Sequence, residues 1–252
     1  MNNQDDKLFY ARLEDMHSRC ERDGCAVFSS FLDERQSALA LQWCSRNAGD
    51  VCFMLWGGFD EARRKMLALY PEYYEEYIKD DFPLVCLTFT YRKEDSLTHR
   101  DILGTLMGQR LKRETVGDIV IDEGTAQVFV TENAAKLITC TLGKIGRVGV
   151  KVTDDKPFSL EVKQEFKDIC GTVASMRLDC VAALCANISR EKAAALIRSE
   201  KVEVNHFTAV SVSQELHEGD ILSIRGSGRF IVFGTGNKTR KDRIHINLRK
   251  YI

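Results

Sequence analysis

Proline is scarce in this chain, with 3 in 252 residues, and each falls where a regular element should end. Pro71 closes an apolar run, and Pro83 and Pro157 sit in the acidic stretches 79–83 and 154–157, which read as linkers. Long apolar runs are missing. None reaches the roughly 18 residues of a membrane-spanning helix, so no membrane span is expected. The opening, Met1-Asn2-Asn3-Gln4-Asp5-Asp6, is polar and acidic, unlike a secretory signal or an organelle-import sequence, and a cytoplasmic location is expected. C-x-x-C and His-x-His pairs are missing too. The 9 cysteines are an odd number, and Cys20/Cys25 and Cys180/Cys185 have the wrong spacing for a paired zinc site, so no metal and no cofactor are expected. Small buried thiols in a reducing cytosol are the reading that remains. There is no phosphate-binding P-loop. Gly143, Gly146 and Gly149 follow a helix and precede a strand, the reverse of the dinucleotide-binding order, and read as turn glycines.

Net charge is also lacking, at −1, which by itself argues against a nucleic-acid binder. Its distribution argues the other way. Residues 1–80 carry 10 Lys and Arg against 15 Asp and Glu, a balance of −5. Residues 81–171 carry 13 against 14, or −1, and residues 172–252 carry 13 against 8, or +5. The cations are gathered in the last third.

The apolar content of 44% is enough for packed cores, and the length allows one very large domain or two to three ordinary ones. Leu8, Phe9, Leu13 and Met16 recur at helical spacing, and Phe31-Leu32-Asp33 leads into a second helix over 37–46. Residues 51–56 read as a strand and Gly57-Gly58 as a turn. Asp60 is placed to cap a helix over 61–70 that Pro71 stops. Tyr70, Tyr73, Tyr74 and Tyr77 form an aromatic cluster of a kind that can stack on bases, but in this acidic third it better suits a packed face or amphipathic surface. From 82 to 156 the order is β-α-β-β-α-β, a ferredoxin-like (RRM-like) unit. It comprises a strand over 84–91 with Val85, Leu87, Phe89 and Tyr91 on one face, a helix capped by Thr98 or Ser96, paired strands around Glu123-Gly124, a helix capped by Thr131, and a last strand over 148–152. The aromatic signature of an RNA-reading RRM is absent, since Phe129 lacks its neighbours. The loop Gln109-Arg110-Leu111-Lys112-Arg113 is a local basic patch, either solvated or in contact with RNA backbone. Residues 158–174 read as a connecting segment.

The organising stretch runs from Met176 to Arg229. Leu178, Val181 and Leu184 define one helix, broken at Asn187. Ser189 caps a second helix, in which Ala193, Leu196 and Ile197 face inward. Arg190 and Arg198 lie on the neighbouring arc, and Lys201 follows the helix end. Residues 201–205 alternate as a strand, and Gly219-Asp220 turns into another at 221–225. Gly226-Ser227-Gly228-Arg229-Phe230 is a hairpin turn, and Lys238 to Arg243 form a second cationic turn before a closing strand over 244–248.

This arrangement resembles the S4 RNA-binding domain. It carries the RLD opening (Arg177-Leu178-Asp179), the SR pair (Ser189-Arg190), the KVxVN strand (Lys201-Val202-Glu203-Val204-Asn205) and the GDxI turn (Gly219-Asp220-Ile221). His206 stands where that family usually has Gly. The SMRLD opening, IRGSGRF turn and TRKDR cluster before a KYI terminus extend the likeness to the YlmH family of bacterial S4-domain proteins. So do Phe31-Leu32-Asp33 with Arg35, Trp56-Gly57-Gly58-Phe59 with Arg63-Arg64, and Arg113 with Gly117-Asp118-Ile119. Glu34 departs from a frequent Pro, and Asp242 from a frequent Gly.

The resemblance implies an α+β chain of three small domains: an N-terminal α/β domain over 1–80, the ferredoxin-like domain over 82–156, and an S4 RNA-binding domain with a C-terminal β extension over 172–252. It implies a non-enzymatic cytoplasmic protein that binds rRNA and tRNA on the large ribosomal subunit. There it would stabilise peptidyl-tRNA in ribosome-associated quality control, beside a partner factor that makes C-terminal tails, with a further link to cell division. By position, Arg177, Ser189, Arg190, Lys192, Arg198 and Lys201 would contact RNA backbone, with Arg229, Arg240, Lys241 and Arg243 as further contacts. Two alternatives stand beside it. One is an S4-domain rRNA-modifying enzyme, a pseudouridine synthase or a methyltransferase, although the T-x-G-L that follows the synthase RLD is missing. The other is a ribosome-assembly factor.

Overall fold

Asp33 shows how closely local chemistry sets the first helices. Its carboxylate accepts from the Gln36 amide at 2.7 Å while the Gln36 side chain accepts from the Asp33 amide at 3.0 Å. This reciprocal cap opens α2 (Glu34–Asn47), after α1 (Asn3–Asp23) and the short strand β1 (Val27–Phe28). The computed structural model describes residues 3–162, 164–239 and 242–252. By contacts the chain divides into two compact units, residues 1–162 and 163–252.

In the first unit β2 (Val51–Trp56) and β3 (Met66–Pro71) complete an antiparallel sheet of order β1-β3-β2. The helix expected over 61–70 does not form. Met66 to Tyr70 are all buried because β3 is the central strand, covered on both faces. A continuous apolar run is what such a strand requires, and periodicity alone does not separate it from a buried helix. Leu67 and Leu69 pack under Leu13 and Met16 of α1 and Ala40 and Cys44 of α2. Met66, Ala68 and Tyr70 face the other way, into a cluster with Phe31, Phe59, Phe82, Val120 and Phe129. The tyrosines therefore part company: Tyr70 is core, Tyr73 and Tyr77 are exposed, and Tyr74 donates to Asp81 at 2.6 Å.

The same unit continues with β4 (Leu84–Thr90), α3 (His99–Gly108), β5 (Val116–Asp122), β6 (Thr125–Thr131), α4 (Glu132–Thr141), the two-residue strands β7 (Lys144–Ile145) and β8 (Val148–Gly149), and β9 (Lys151–Thr153). The last strand expected over 148–152 is thus split between a hairpin and β9. The second sheet has the order β5-β6-β4-β9, a ferredoxin-like connection. Val85, Leu87, Phe89 and Tyr91 share the face under α3 and α4, with Ile102, Leu106 and Ile138. Thr98, not Ser96, caps α3, with Asp101 closing the box. The opposite face of this sheet meets the Phe59 cluster, so residues 79–83, expected as a linker, lie inside one compact unit.

The second unit comprises β10 (Phe166–Val173), α5 (Leu178–Ala186), α6 (Arg190–Arg198), β11 (Val202–Val204), β12 (Phe207–Thr208), β13 (Ile221–Ile224), β14 (Gly228–Lys238) and β15 (Ile244–Tyr251). They form one sheet of order β10-β15-β14-β13-β11-β12, with two helices. Residues 166–173, expected as connecting chain, are a strand paired with β15 from Phe166↔Tyr251 to Val173↔Ile244. Half of its residues are exposed and only Val173 is buried, so no hydrophobic alternation marked it. The core gathers Leu178, Val181 and Ile197 from the helices with Leu222, Phe230, Val232, Ile246 and Leu248 from the strands. Gly171 lets α5 lie close on the sheet: a Cβ there would stand 2.7 Å from a terminal methyl of Leu184, which would have to shift.

Candidate nucleic-acid interface

Two helix starts carry the expected contact residues. Arg177 is the N-cap of α5, and Asn187, with φ 52, ends that helix in the left-handed conformation Asn tolerates. The chain turns there, and Ser189 opens α6 by accepting from the Lys192 amide at 3.3 Å. Ser189 is thus a structural cap as well as a candidate contact.

Between the two starts lies Asp179, buried to 3% exposure. It accepts from Arg177 Nε at 3.2 Å and Nη2 at 3.4 Å, and from Arg190 Nε at 2.7 Å. Burial pushes its carboxyl pKa up, but the hydrogen bonds and charges of the two arginines outweigh that and hold it below the ordinary value. The same contact raises Arg190. Both guanidinium groups keep terminal nitrogens without a partner among the described residues. The carboxylate fixes them in place and leaves those donors for an anion.

Lys192, Arg198 and Lys201 are exposed and make no ion pair among the described residues. Lys201 gains a neighbour that sequence reading passed over: its carbonyl accepts from the Arg225 amide at 3.0 Å, and Arg225 is also exposed. Strand pairing makes these two cations adjacent, although 24 positions apart in the numbering. Arg243 is tied to β10, donating from Nη2 to the Thr172 carbonyl at 2.6 Å and from Nε to its hydroxyl at 3.0 Å. Arg243 and Arg190 line one open cleft of about 400 Å³, floored by Val173, Ala183, Leu184 and Ile188. Arg229 instead lies over the Tyr251 ring, 5.9 Å from its centroid. Arg240 and Lys241 lie outside the described residues. Asp242 pairs with Lys238 at 2.8 Å and has φ 56, where a glycine would be unstrained.

The basic patch at 109–113 does not form one surface. Lys112 is exposed and pairs loosely with Glu114 at 3.8 Å. Arg113 is turned inward, donating to the Val116 carbonyl. Burial, and then the charge of Arg64, lower its pKa to about 10. Arg64 likewise donates to the carbonyls of Val116 at 3.0 Å and Phe31 at 3.1 Å. Gly58 and Gly117 permit this packing, because a Cβ would lie 2.1 Å from the Phe129 ring at the first and 2.6 Å from the Phe31 ring at the second. These motif residues hold the first unit together.

The cysteines are all free thiols. No group of three or more metal-ligating side chains occurs among the described residues, and no helix there is long and apolar enough to cross a membrane.

Fold and site together define the class: a mixed α+β protein with a cationic helix pair braced by a buried carboxylate. Residues 78–158 match the family model described as "Putative RNA-binding domain in YlmH". The chain is 34% identical over 226 residues to ribosome-associated protein quality control protein P2 of Bacillus subtilis (strain 168), covering 88% of this chain and 86% of that one. Among solved structures it is similar to cell division protein ylmH from Streptococcus pneumoniae, with a TM-score of 0.51 and 24% identity over 62% of this chain and 94% of the other, a likeness of fold. The chain belongs to the YlmH family.

Proposed function

We propose that this chain is a non-enzymatic RNA-binding factor. It acts on the large ribosomal subunit in ribosome-associated quality control, where it steadies peptidyl-tRNA while a partner factor extends the nascent chain. In this reading residues 172–252 are an S4 RNA-binding domain with a β extension, and residues 82–156 are a second, ferredoxin-like module. The observation that carries the proposal is the Arg177–Asp179–Arg190 brace, which pre-orders two guanidinium groups beside exposed Lys192, Arg198 and Lys201. Such a row suits phosphates of structured RNA, recognised by shape and charge. The name of the Bacillus subtilis relative supports the quality-control setting.

The alternative enzyme reading rests on Asp179 as the acid of an RLD motif. A catalytic carboxylate must reach substrate, whereas this one is buried and engaged through both oxygens, which favours the binding role. The test is crosslinking and sequencing of RNA bound in cells by the wild type and by an Arg177→Glu, Arg190→Glu variant. Large-subunit rRNA together with tRNA, lost in the variant, is the expected result. Unchanged recovery would remove the brace from the interface. Tritium release from labelled rRNA by the purified protein would replace the reading with the enzymatic one.

A further inference from the structure

In RNA-binding units with β-α-β-β-α-β order, bases stack on the open face of the sheet. Here that face is closed. Phe129 of β6 lies 5.3 Å from Phe59 and 5.2 Å from Phe158, and those two rings are 4.6 Å apart. Gln127, 1% exposed, fastens the segment 157–160 across it. Its amide donates to the Pro157 carbonyl at 2.9 Å, and its oxygen accepts from the Ser159 and Leu160 amides at 2.9 and 3.1 Å. No base can reach a surface occupied in this way. A domain matched as RNA-binding must then meet RNA elsewhere.

We infer that the first unit holds RNA by its phosphate backbone, in the groove between α3 and the β7–β8 hairpin. The groove is about 580 Å³ and is lined by Arg100, Gly104 and Thr105 of α3 and by Gly146 and Arg147 of the hairpin. Arg100 and Arg147 are exposed, and neither has an ion pair or side-chain hydrogen bond among the described residues. Lys144 in the hairpin and Lys151 just after it are exposed as well. The acid in the lining, Asp101, is committed to the helix cap: it accepts from the Thr98 amide at 2.9 Å and hydroxyl at 2.6 Å.

Two glycines of the lining border open space. Neither Gly104 nor Gly146 has any atom within 4 Å of where a Cβ would stand, and Gly146 turns the hairpin with φ +57. The glycine string thus shapes a turn that carries cations. No aromatic ring belongs to the lining, so the occupant is backbone and not stacked bases.

This inference rests on the chain being an RNA-binding protein, and the experiment separates the two. Full-length Arg100→Gln, Arg147→Gln protein is compared with wild type and with Arg177→Glu, Arg190→Glu for binding to purified large subunits carrying peptidyl-tRNA, across a salt series. The groove variant is expected to bind roughly tenfold more weakly. Its slope of log affinity against log salt should be shallower by about 1.4 to 1.8, from 0.7–0.9 per lost phosphate contact. Arg147→Lys should stay near wild type. If the groove variant matches wild type while the brace variant fails, the groove inference falls and the proposed function stands. Weaker binding with an unchanged slope would also overturn it, by pointing to a protein partner. If the wild type does not bind, both fall. Amine-reactive labelling of the wild type gives a second readout independent of variant folding: Lys144 and Lys151, exposed in the free protein, are expected to be protected when it is bound to the subunits, and unchanged labelling of both overturns the inference.

Discussion

Asp179 Oδ2 accepts from Arg190 Nε at 2.7 Å across the two helix starts of the second unit. An acid in a cationic site would, by charge alone, weaken RNA binding, and removing it should tighten the complex. The geometry predicts the reverse. Asp179→Asn releases Arg177 and Arg190, and binding must then re-order both side chains at about 0.5–1.5 kcal/mol each. An affinity loss of roughly tenfold is expected in filter binding at moderate salt. A gain in affinity would show that the acid is only a repulsive neighbour.

The same pair sets a pH dependence. The folded-state pKa of Asp179 is lowered, so its contribution to stability is present above the unfolded carboxyl value of about 3.9 and is lost as pH falls through the folded value. Acid titration of the melting temperature should therefore fall more steeply for wild type than for Asp179→Asn, with the two curves converging below about pH 4. Parallel curves would remove Asp179 from the acid transition.

His206 follows Asn205 in a two-residue hairpin between Val204 and Phe207, with φ values of 49 and 70 at the two turn positions. That turn favours Asn-Gly. Asn205 also accepts from the Ile221 amide at 2.9 Å and donates to Asp220 at 2.8 Å. His206→Gly is expected to raise stability by about 0.5–1 kcal/mol through relief of backbone strain. Asn205→Ala should lower it by about 1–3 kcal/mol. Thermal melts of the two variants test both directions.

Gly58→Ala should be among the most damaging small changes in the first unit. Its φ is +100, and the new methyl would lie 2.1 Å from the Phe129 ring, which is itself buried against Phe59. A loss of at least about 3 kcal/mol is expected from overpacking and strain together. Unchanged urea unfolding would mean that the ring can move aside.

Thiol reactivity should divide the cysteines sharply. Burial pushes the pKa of Cys185 to about 12 and those of Cys44 and Cys86 to about 11, so little thiolate is available at these positions. Cys25, Cys140 and Cys170 are exposed. Brief maleimide treatment of the native protein should label the exposed three and spare the first three, as read by peptide mass spectrometry.

Much of this was legible in the sequence because it depends on neighbours in the chain. The caps at Thr98 and Ser189, the inward arc of Ala193 and Ile197, and the turns at Gly124 and Gly226 follow from local hydrogen bonding and backbone sterics. The motif order that pointed to the YlmH family is likewise a property of the chain alone. Other features required the chain to close on itself. Met66 to Tyr70 became a strand because the sheet buries both its faces. Residues 166–173 became one because β15 offered a full row of backbone partners. Asp179, an acid in the first turn of α5, became a brace only when α6 brought Arg190, 11 residues on, to its oxygen. Arg113, which read as part of a basic patch, was drawn inward by the carbonyl of Val116, as was Arg64. Local sequence fixes what a segment can form. Which side chains share a site depends on long-range packing, since burial and a charged partner are supplied by residues far away in the chain.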